Sequence, residues 1–379
     1  MPWKEVNTVD LRREFVALSE QSSLSFSELC RRFDISRKTG YKWIARFQLQ
    51  GVDGLKDQSR APVGRPSQTP ESIERLILQC RDQYQDWGGR KLRRVLEDRG
   101  HKNLPQPSTI TQILRRNHRL GQQPAPPKNF TRFEHPYPND LWQMDFKGHF
   151  PLARGQCHPL TVLDDHSRYS LCLQACADET TETVRARLIN TFSHYGIPSR
   201  MTMDNGSPWG SGGQYRYTQL TVWLIEQGVS VSHSRPYHPQ TQGKDERFHR
   251  TLKTELLGRR QLHDLANCQA HFDEWRTTYN TIRPHEALDM HTPVTRYSPS
   301  ARSYQPNRPP YEYGVNDAVR KVGKNLMASY RRYEIFLGQA FVGKQIAIRP
   351  TRTDGIVSLH FCHQQVGQVD LNNIAKRHR

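Results

Sequence analysis

Long apolar runs are missing from this chain of 379 residues. No window approaches the roughly 20 apolar residues of a membrane span, and the start, Met1-Pro-Trp-Lys-Glu-Val-Asn-Thr-Val-Asp10, holds no apolar targeting stretch. The chain is expected to stay in the compartment where it is made. Cysteine is sparse: Cys30, Cys80, Cys157, Cys172, Cys176, Cys268 and Cys362 form an odd, dispersed set without one Cys-x-x-Cys pair. That pattern argues against a disulfide frame or a zinc site and reads as reduced core thiols. Apolar residues make up only 35% of the chain and 24 prolines are scattered along it. Two to four modest units joined by exposed connectors fit this better than one large core. Acid is the scarcer charge, 37 Asp+Glu against 55 Lys+Arg, for a net charge of +18. Such an excess favours a polyanionic partner, because each cation that neutralises a phosphate releases condensed counterions. Residues 1–128 hold 24 Lys+Arg against 14 Asp+Glu, so +10 of the total sits in the first third.

That first third reads as two small helical units. Ser25-Phe-Ser-Glu28 is a capping box that opens a short amphipathic helix carrying Phe26, Leu29 and Phe33. After a break at Asp34-Ile-Ser36, Ser36 caps a helix over 37–48 in which Arg37, Lys38, Thr39, Lys42 and Arg46 surround an apolar set of Tyr41, Ile44 and Phe47. Helix, tight turn and basic second helix is the pattern that places side chains in a major groove. An ordinary helical hairpin is the alternative, and the charge bias tips the reading towards DNA. The connector 57–68 lacks apolar periodicity and carries Arg60 and Arg65 between prolines, as a minor-groove segment or an inert tether would. Thr69-Pro70-Glu71 predicts an N-cap, a proline at the first helical position and a helix to about residue 83. The chain turns at Gly88-Gly89 into residues 90–99, and Pro107-Ser108-Thr109 caps another basic helix ending at Arg115-Arg116. Two reading heads imply a long, composite recognition site.

Five prolines over residues 121–138 mark a boundary. Strand-like runs follow at 141–150, 160–163 and 169–176, with the polar turn Asp164-Asp165-His166-Ser167 between the last two. Next come a helix over 180–195, a short strand over 201–204, a helix over 218–227, a strand over 229–234 and a helix beginning near Lys244. This order predicts a mixed-sheet α/β domain with active groups at strand ends and the adjacent helix. Three acids stand there: Asp145 in Trp142-Gln-Met-Asp145-Phe-Lys147, Asp204 in Met203-Asp204-Asn-Gly206-Ser-Pro-Trp209, and Glu246 in Pro239-Gln-Thr-Gln-Gly243-Lys-Asp-Glu246-Arg-Phe-His249. At about 100° per residue, Arg250 and Lys253 share the face of Glu246, Phe248 and Leu252 lie opposite, Glu255 points with the apolar side and Asp245 is displaced by roughly a quarter turn. Three converging carboxylates would repel or hold protons unless a cation neutralised them, and hard oxygen ligands select Mg²⁺ or Mn²⁺.

The stretch from Ser234 through His238, Gln242, Lys244 and Glu246 to Arg250 and Lys253 closely resembles the third-acid region of DDE transposases and retroviral-type integrases. Met203-Asp204-Asn-Gly206-Ser resembles their second-acid region and Trp142-Gln-Met-Asp145 the first. In organisation the chain resembles a transposase of a bacterial insertion sequence. The resemblance implies a ribonuclease-H-like core in which Asp145, Asp204 and Glu246 are catalytic and bind two Mg²⁺ ions, with Mn²⁺ able to substitute. It also implies hydrolysis at the element ends, joining of each 3′-hydroxyl to target DNA, and work in the bacterial cytoplasm at the nucleoid. Double-stranded DNA, as terminal inverted repeats and as target, is the expected partner, and paired ends imply a homodimer or higher homo-oligomer. Two departures stand out. The 41 residues between Asp204 and Glu246 exceed the usual spacing, through an insertion at 209–217, and no His/Cys zinc module precedes the core.

The expected division is a helix-turn-helix domain at 1–56, a basic linker at 57–68, a second helix-turn-helix domain at 69–120 and a proline-rich linker at 121–138. The catalytic domain follows at 139–297, a linker at 298–318 and a small C-terminal β-barrel at 319–379. Outside the triad the readings are plainer. Asp164 and Asp165 suit a turn and Trp142 a core anchor. Phe272, Trp275 and Tyr279 are at packing positions on a helix over 266–279, and Asn280-Thr-Ile-Arg283-Pro284-His285 ends it without chemistry. His238 either touches DNA or shapes its loop, Lys244, Arg250 and Lys253 are placed on phosphates, and Arg115 and Arg116 join the DNA contacts. Two rivals remain: a DNA-binding regulator with an inactive core, and a nuclease of the same fold that does not join ends.

Overall fold

The computed structural model describes residues 7–21, 24–58, 69–120, 134–210, 217–233 and 243–374. Arg60, Arg65 and His238, three of the expected DNA contacts, lie outside them. The chain divides into two compact units, Met1–Gln68 and Thr69–Arg379.

The first unit is a three-helix cluster of α1 (Thr8–Gln21), α2 (Phe26–Arg32) and α3 (Arg37–Gln50). Both expected caps form: Ser25 Oγ accepts from the amide of Glu28, and Ser36 Oγ from that of Thr39. Helix α1 was not anticipated, although Leu11, Phe15, Val16 and Leu18 recur at helical spacing; Phe15 and Val16 are buried. The apolar face of α3 is rotated from its expected position. Trp43 and Gly40 are buried, whereas Tyr41 is 60% exposed and stacks on Phe26 with centroids 4.2 Å apart.

The second unit opens with α4 (Glu71–Gln83), α5 (Gly89–Asp98) and α6 (Pro107–Arg116), closed around Ile77, Trp87, Leu92, Leu96, Ile110 and Ile113. Thr69 is not the cap of α4. Pro70 occupies that position without a side-chain bond, and Pro107 begins α6 with Gln106 before it. Gly89 lets α5 start against α6: a Cβ there would collide with the Pro107 carbonyl.

The core is a twisted sheet of β1 (Leu141–Phe146), β2 (Phe150–Pro151), β3 (Gln156–Asp164), β4 (Ser170–Cys176), β5 (Arg200–Met203) and β6 (Ser230–His233). β3 pairs antiparallel with β1 and β4, and short β2 adds to its start. β1 and β5, then β5 and β6, pair in parallel. Period-2 alternation sends Trp142 and Met144 to one face, against Leu188 and Phe192 of α7 (Thr181–Tyr195) and Leu224 of α8 (Gln219–Glu226). On the other face Leu163 and Leu173 pack on α9 (Gly243–Leu252) and α10 (Leu265–Thr281) through Phe248, Leu252, Phe272 and Trp275. The fold thereby brings β1, the end of β5 and α9 to one place.

Beyond the core, β7 (Ala318–Lys321), β10 (Gln345–Pro350), β11 (Ile356–Phe361) and β12 (Gln364–Asp370) form an antiparallel sheet, and β8 (Met327–Tyr330) and β9 (Tyr333–Phe336) a separate hairpin. Of the expected barrel the sheet-rich region is present: the ladder ends at β7 and β12, with no pairing that closes it among the described residues. The sheet docks on the free edge of β6, where the Gln364 amide accepts from Val231 N at 2.8 Å and donates to Val231 O at 2.9 Å, as a neighbouring strand would.

Candidate active site and DNA interface

Asp145 is half-buried on β1, on the sheet face that carries α9. The hydroxyl of Thr161, its cross-strand partner, donates to the Asp145 carbonyl at 2.9 Å. Asp204 follows β5, half-buried, and accepts from the amide of Gly206 at 3.0 Å, an Asx turn that fixes the carboxylate. Trp209, buried and stacked on Phe146 with centroids 5.3 Å apart, ties the loop after Asp204 to the end of β1. Glu246 lies exposed on the first turns of α9. Asp145 senses the other two acids. Burial first, then the charge of Asp204 and, more weakly, of Glu179 and Glu246, push the Asp145 carboxyl up to about 7 against the pull of a backbone hydrogen bond.

Among the described residues no three His, Cys, Asp or Glu side chains stand close enough together to hold a metal ion. The donor chemistry nevertheless fits a hard divalent cation: oxygen ligands only, with mutual repulsion already raising one of them.

His249, one helical turn beyond Glu246, was assigned no role from sequence although its i+3 spacing marks it. Its Nε2 is 2.8 Å from Thr161 Oγ and its Nδ1 is 4.0 Å from Asp145 Oδ2. With the Thr161 hydroxyl donating to the Asp145 carbonyl, Nε2 is the ring's donor and the imidazole is neutral. Burial, then the charge of Lys147, lowers its pKa to about 4. Lys147 in turn faces Lys253, and burial followed by that like charge lowers its own pKa. Arg250 and Lys253 are exposed, with Phe248, Leu252 and Leu256 buried behind them.

Lys244 does not face outward. Its ammonium pairs with the Asp165 carboxylate, which is fully buried, and donates to the Asp165 carbonyl at 3.1 Å. Asp165 also accepts from His135 N and from Gln143 Nε2, each at 2.8 Å. Asp164 closes its turn by accepting from Ser167 N at 2.8 Å and Asn139 N at 2.7 Å. Asp245 is fully buried, neither carboxylate oxygen has a hydrogen-bond partner among the described residues, and burial holds its pKa well above the ordinary range.

In the first unit Arg37, Lys38 and Lys42 are exposed on α3, whereas Thr39 is engaged in the cap, its Oγ 2.9 Å from that of Ser36. Arg12, Lys42 and Arg46 lie over the Trp43 ring at 3.9, 5.2 and 4.2 Å for Arg12, Arg46 and Lys42 respectively. On α6 Arg115 is exposed, while Arg116 is paired with Glu74.

Residues 135–239 and 227–293 match the integrase core domain family, and residues 317–376 match the C-terminal domain of IS481 family transposases. A helix-turn-helix domain matches at 11–62 and a homeodomain-like domain at 39–114. The chain is 23% identical over 251 residues to the insertion element IS476 uncharacterized 39.2 kDa protein of Xanthomonas euvesicatoria, covering 65% of this chain and 70% of that one. It is 23% identical over 244 residues to the Pro-Pol polyprotein of feline foamy virus, covering 57% of this chain and 20% of the polyprotein, so it spans about a fifth of that relative. Among solved structures, a chain of the simian T-cell lymphotropic virus intasome with a PP2A B56 gamma subunit aligns at TM-score 0.38 and 17% identity, over 69% of this chain and 92% of that one. The catalytic core of BIV integrase aligns at TM-score 0.33 and 22% identity, over 41% and 92%.

The class defined here is a protein with an integrase core, helix-turn-helix DNA-binding domains ahead of it and a sheet-rich domain after it. Its matched segments together are similar to those of an insertion-sequence transposase with an integrase-type core.

Proposed function

We propose that the chain binds terminal inverted repeats of its element, cleaves DNA at the element ends to free 3′-hydroxyls and joins these to target DNA. One observation carries the reading: the Asp145 carboxyl, pushed up to about 7 by burial and by Asp204, with Glu246 contributing, is a carboxylate that gains from a cation. Asp145, Asp204 and Glu246 would hold Mg²⁺, or Mn²⁺ in its place, as two ions. Such a pair, when bound, activates the attacking oxygen and stabilises the leaving one in an in-line displacement.

The chain's own residues supply the rest. His249, neutral and held by Thr161, fills the space beside Asp145 without adding a competing positive charge. Lys147, Arg250 and Lys253 put cations next to the acids, where phosphates flanking the scissile bond would lie. Arg37, Lys38, Lys42 and Arg46 on α3 and Arg115 on α6 are the proposed end-reading contacts. Two ends held together call for a homodimer or a higher homo-oligomer, with both chains in the bacterial cytoplasm where the DNA is.

The test uses purified protein, labelled candidate ends, a plasmid target and Mg²⁺, with joined products expected. Asp145→Asn, Asp204→Asn and Glu246→Gln should each lower cleavage by more than about 100-fold while end binding survives. Retained cleavage removes that residue from the site, and cleavage without joining makes the chain a nuclease of the same fold.

A further inference from the structure

The helix that carries Glu246 does not end with α9. It continues through a wider π-helical turn, Lys253–Leu257, closed by the amide of Gly258 bonding the Lys253 carbonyl at 2.8 Å. Glu255 lies in that turn. Nine residues past Glu246, it sits about 13 Å further along the rod and half a revolution round it. One Glu255 oxygen accepts from Arg283 Nε at 2.9 Å and from Trp87 Nε1 at 3.1 Å, and the other accepts from Trp275 Nε1 at 3.2 Å. Arg283 and Trp275 belong to the core. Trp87 belongs to the second helical reader, at the turn between α4 and α5, where it stacks on Tyr84 with centroids 4.0 Å apart. From the same turn Asp86 and Gln85 are held by the Arg259 guanidinium, the Asp86 bond being 2.6 Å long. The buried apolar clusters of the two surfaces are separate among the described residues. A cleft of about 650 Å³ opens between them, lined among others by Tyr84, Asp86, Trp87, Arg259, His271 and Trp275. A few directional bonds therefore set the placement.

We propose that Glu255 is a positioning residue: through Trp87, with Arg259 beside it, it fixes the second DNA reader to the rod that carries Glu246, so that the bond cut lies at a set distance from the sequence recognised. This rests on the reading of residues 69–120 as an end reader and of the three acids as the cleaving centre. It also gives Arg283 its task, as the charge that orients Glu255 where Trp87 reaches it.

The test pairs Trp87→Phe with Arg259→Ala in the full chain, which leaves the bonds of Glu255 to Trp275 and Arg283 in place. End binding should be unchanged. Cutting at the wild-type bond should fall by about 100-fold, the loss a displacement of roughly 1 Å can cause, and products cut at neighbouring bonds should appear. Glu255→Gln, which keeps an oxygen acceptor, should restore the cut position that Glu255→Leu loses. A second measurement does not need cleavage. All seven native thiols are buried, so spin labels at Ser108→Cys and Thr277→Cys report the distance from reader to core. That distribution should be narrow in the parent and broad in the Trp87→Phe, Arg259→Ala variant. Wild-type cutting position and rate in the variant, or a broad distribution already in the parent, overturns the proposal. Absence of Mg²⁺-dependent cutting by the wild type would instead count against the catalytic reading, and the distance measurement alone then decides the clamp.

Discussion

Lys244 shows how the direction of one side chain decides its role. Two residues before Glu246, it turns inward to Asp165, whose carboxylate is sealed from water and also held by Gln143 and a backbone amide. Lys244→Met would leave that buried acid without its counter-charge, a loss of about 3–5 kcal/mol by the usual cost of breaking a buried pair. A urea titration should show the midpoint falling, while the salt dependence of DNA binding stays as in wild type. Arg250→Ala should do the opposite. It should leave the midpoint alone and reduce the slope of log K against log salt by about 0.9, as expected for one phosphate contact.

Elements are legible from sequence where one regular period governs them. Glu246, Arg250 and Lys253 stay exposed and Phe248 and Leu252 buried because α9 is regular up to Leu252. The period fails beyond it, at the π-helical turn, and nothing local announces that Glu255 will meet Trp87, a contact spanning 168 residues. In α3 the helical period groups Tyr41 with Ile44 and Phe47, yet Tyr41 is exposed and Trp43 buried, because the buried face depends on how α1 covers the helix. Short strands likewise announce a sheet but not whether its edges close. The seat of α5 offers a pH test of such long-range packing. Lys91 has its pKa lowered to about 8, first by burial and then by Arg283, against the opposing pull of Glu255, Glu286 and Asp86. A lysine depressed in the fold is bound to its proton more tightly in the unfolded chain, so stability should rise with pH between about 8 and 10.5 and carry the full penalty below that window. Lys91→Met should flatten that rise and raise stability at pH 7, by less than the roughly 3 kcal/mol of the full shift because solvent still reaches the half-buried ammonium. Thermal melts from pH 6 to 10.5 check it. Gly89→Ala tests the same helix sterically: its Cβ meets the Pro107 carbonyl, which cannot rotate aside, and a loss of about 1–3 kcal/mol is expected.

For the whole molecule, charge and architecture point the same way. More than half of the +18 net charge lies before residue 129, in the segments matched by helix-turn-helix and homeodomain-like domains, and cations also flank the acids of the core. The basic residues do not all have the same standing, however. Arg116 is spent on Glu74, Lys244 on Asp165, and Arg259 on Asp86, so net charge overstates the number of cations available to a phosphate backbone. On α3, by contrast, Arg37, Lys38 and Lys42 are exposed around a helix whose other side is packed. If that helix reads the element end, Arg37→Ala, Lys38→Ala and Lys42→Ala together should lower the slope of log K against log salt by about 2.7, three contacts at roughly 0.9 each. Replacing Arg116, Lys244 and Arg259 in the same way should leave the slope nearly unchanged, although the sequence charge falls equally. Filter binding or fluorescence anisotropy on labelled ends from low to physiological salt separates the two sets. Equal slope changes would mean that overall charge, and not the side chains the fold leaves outward, governs how this protein holds DNA.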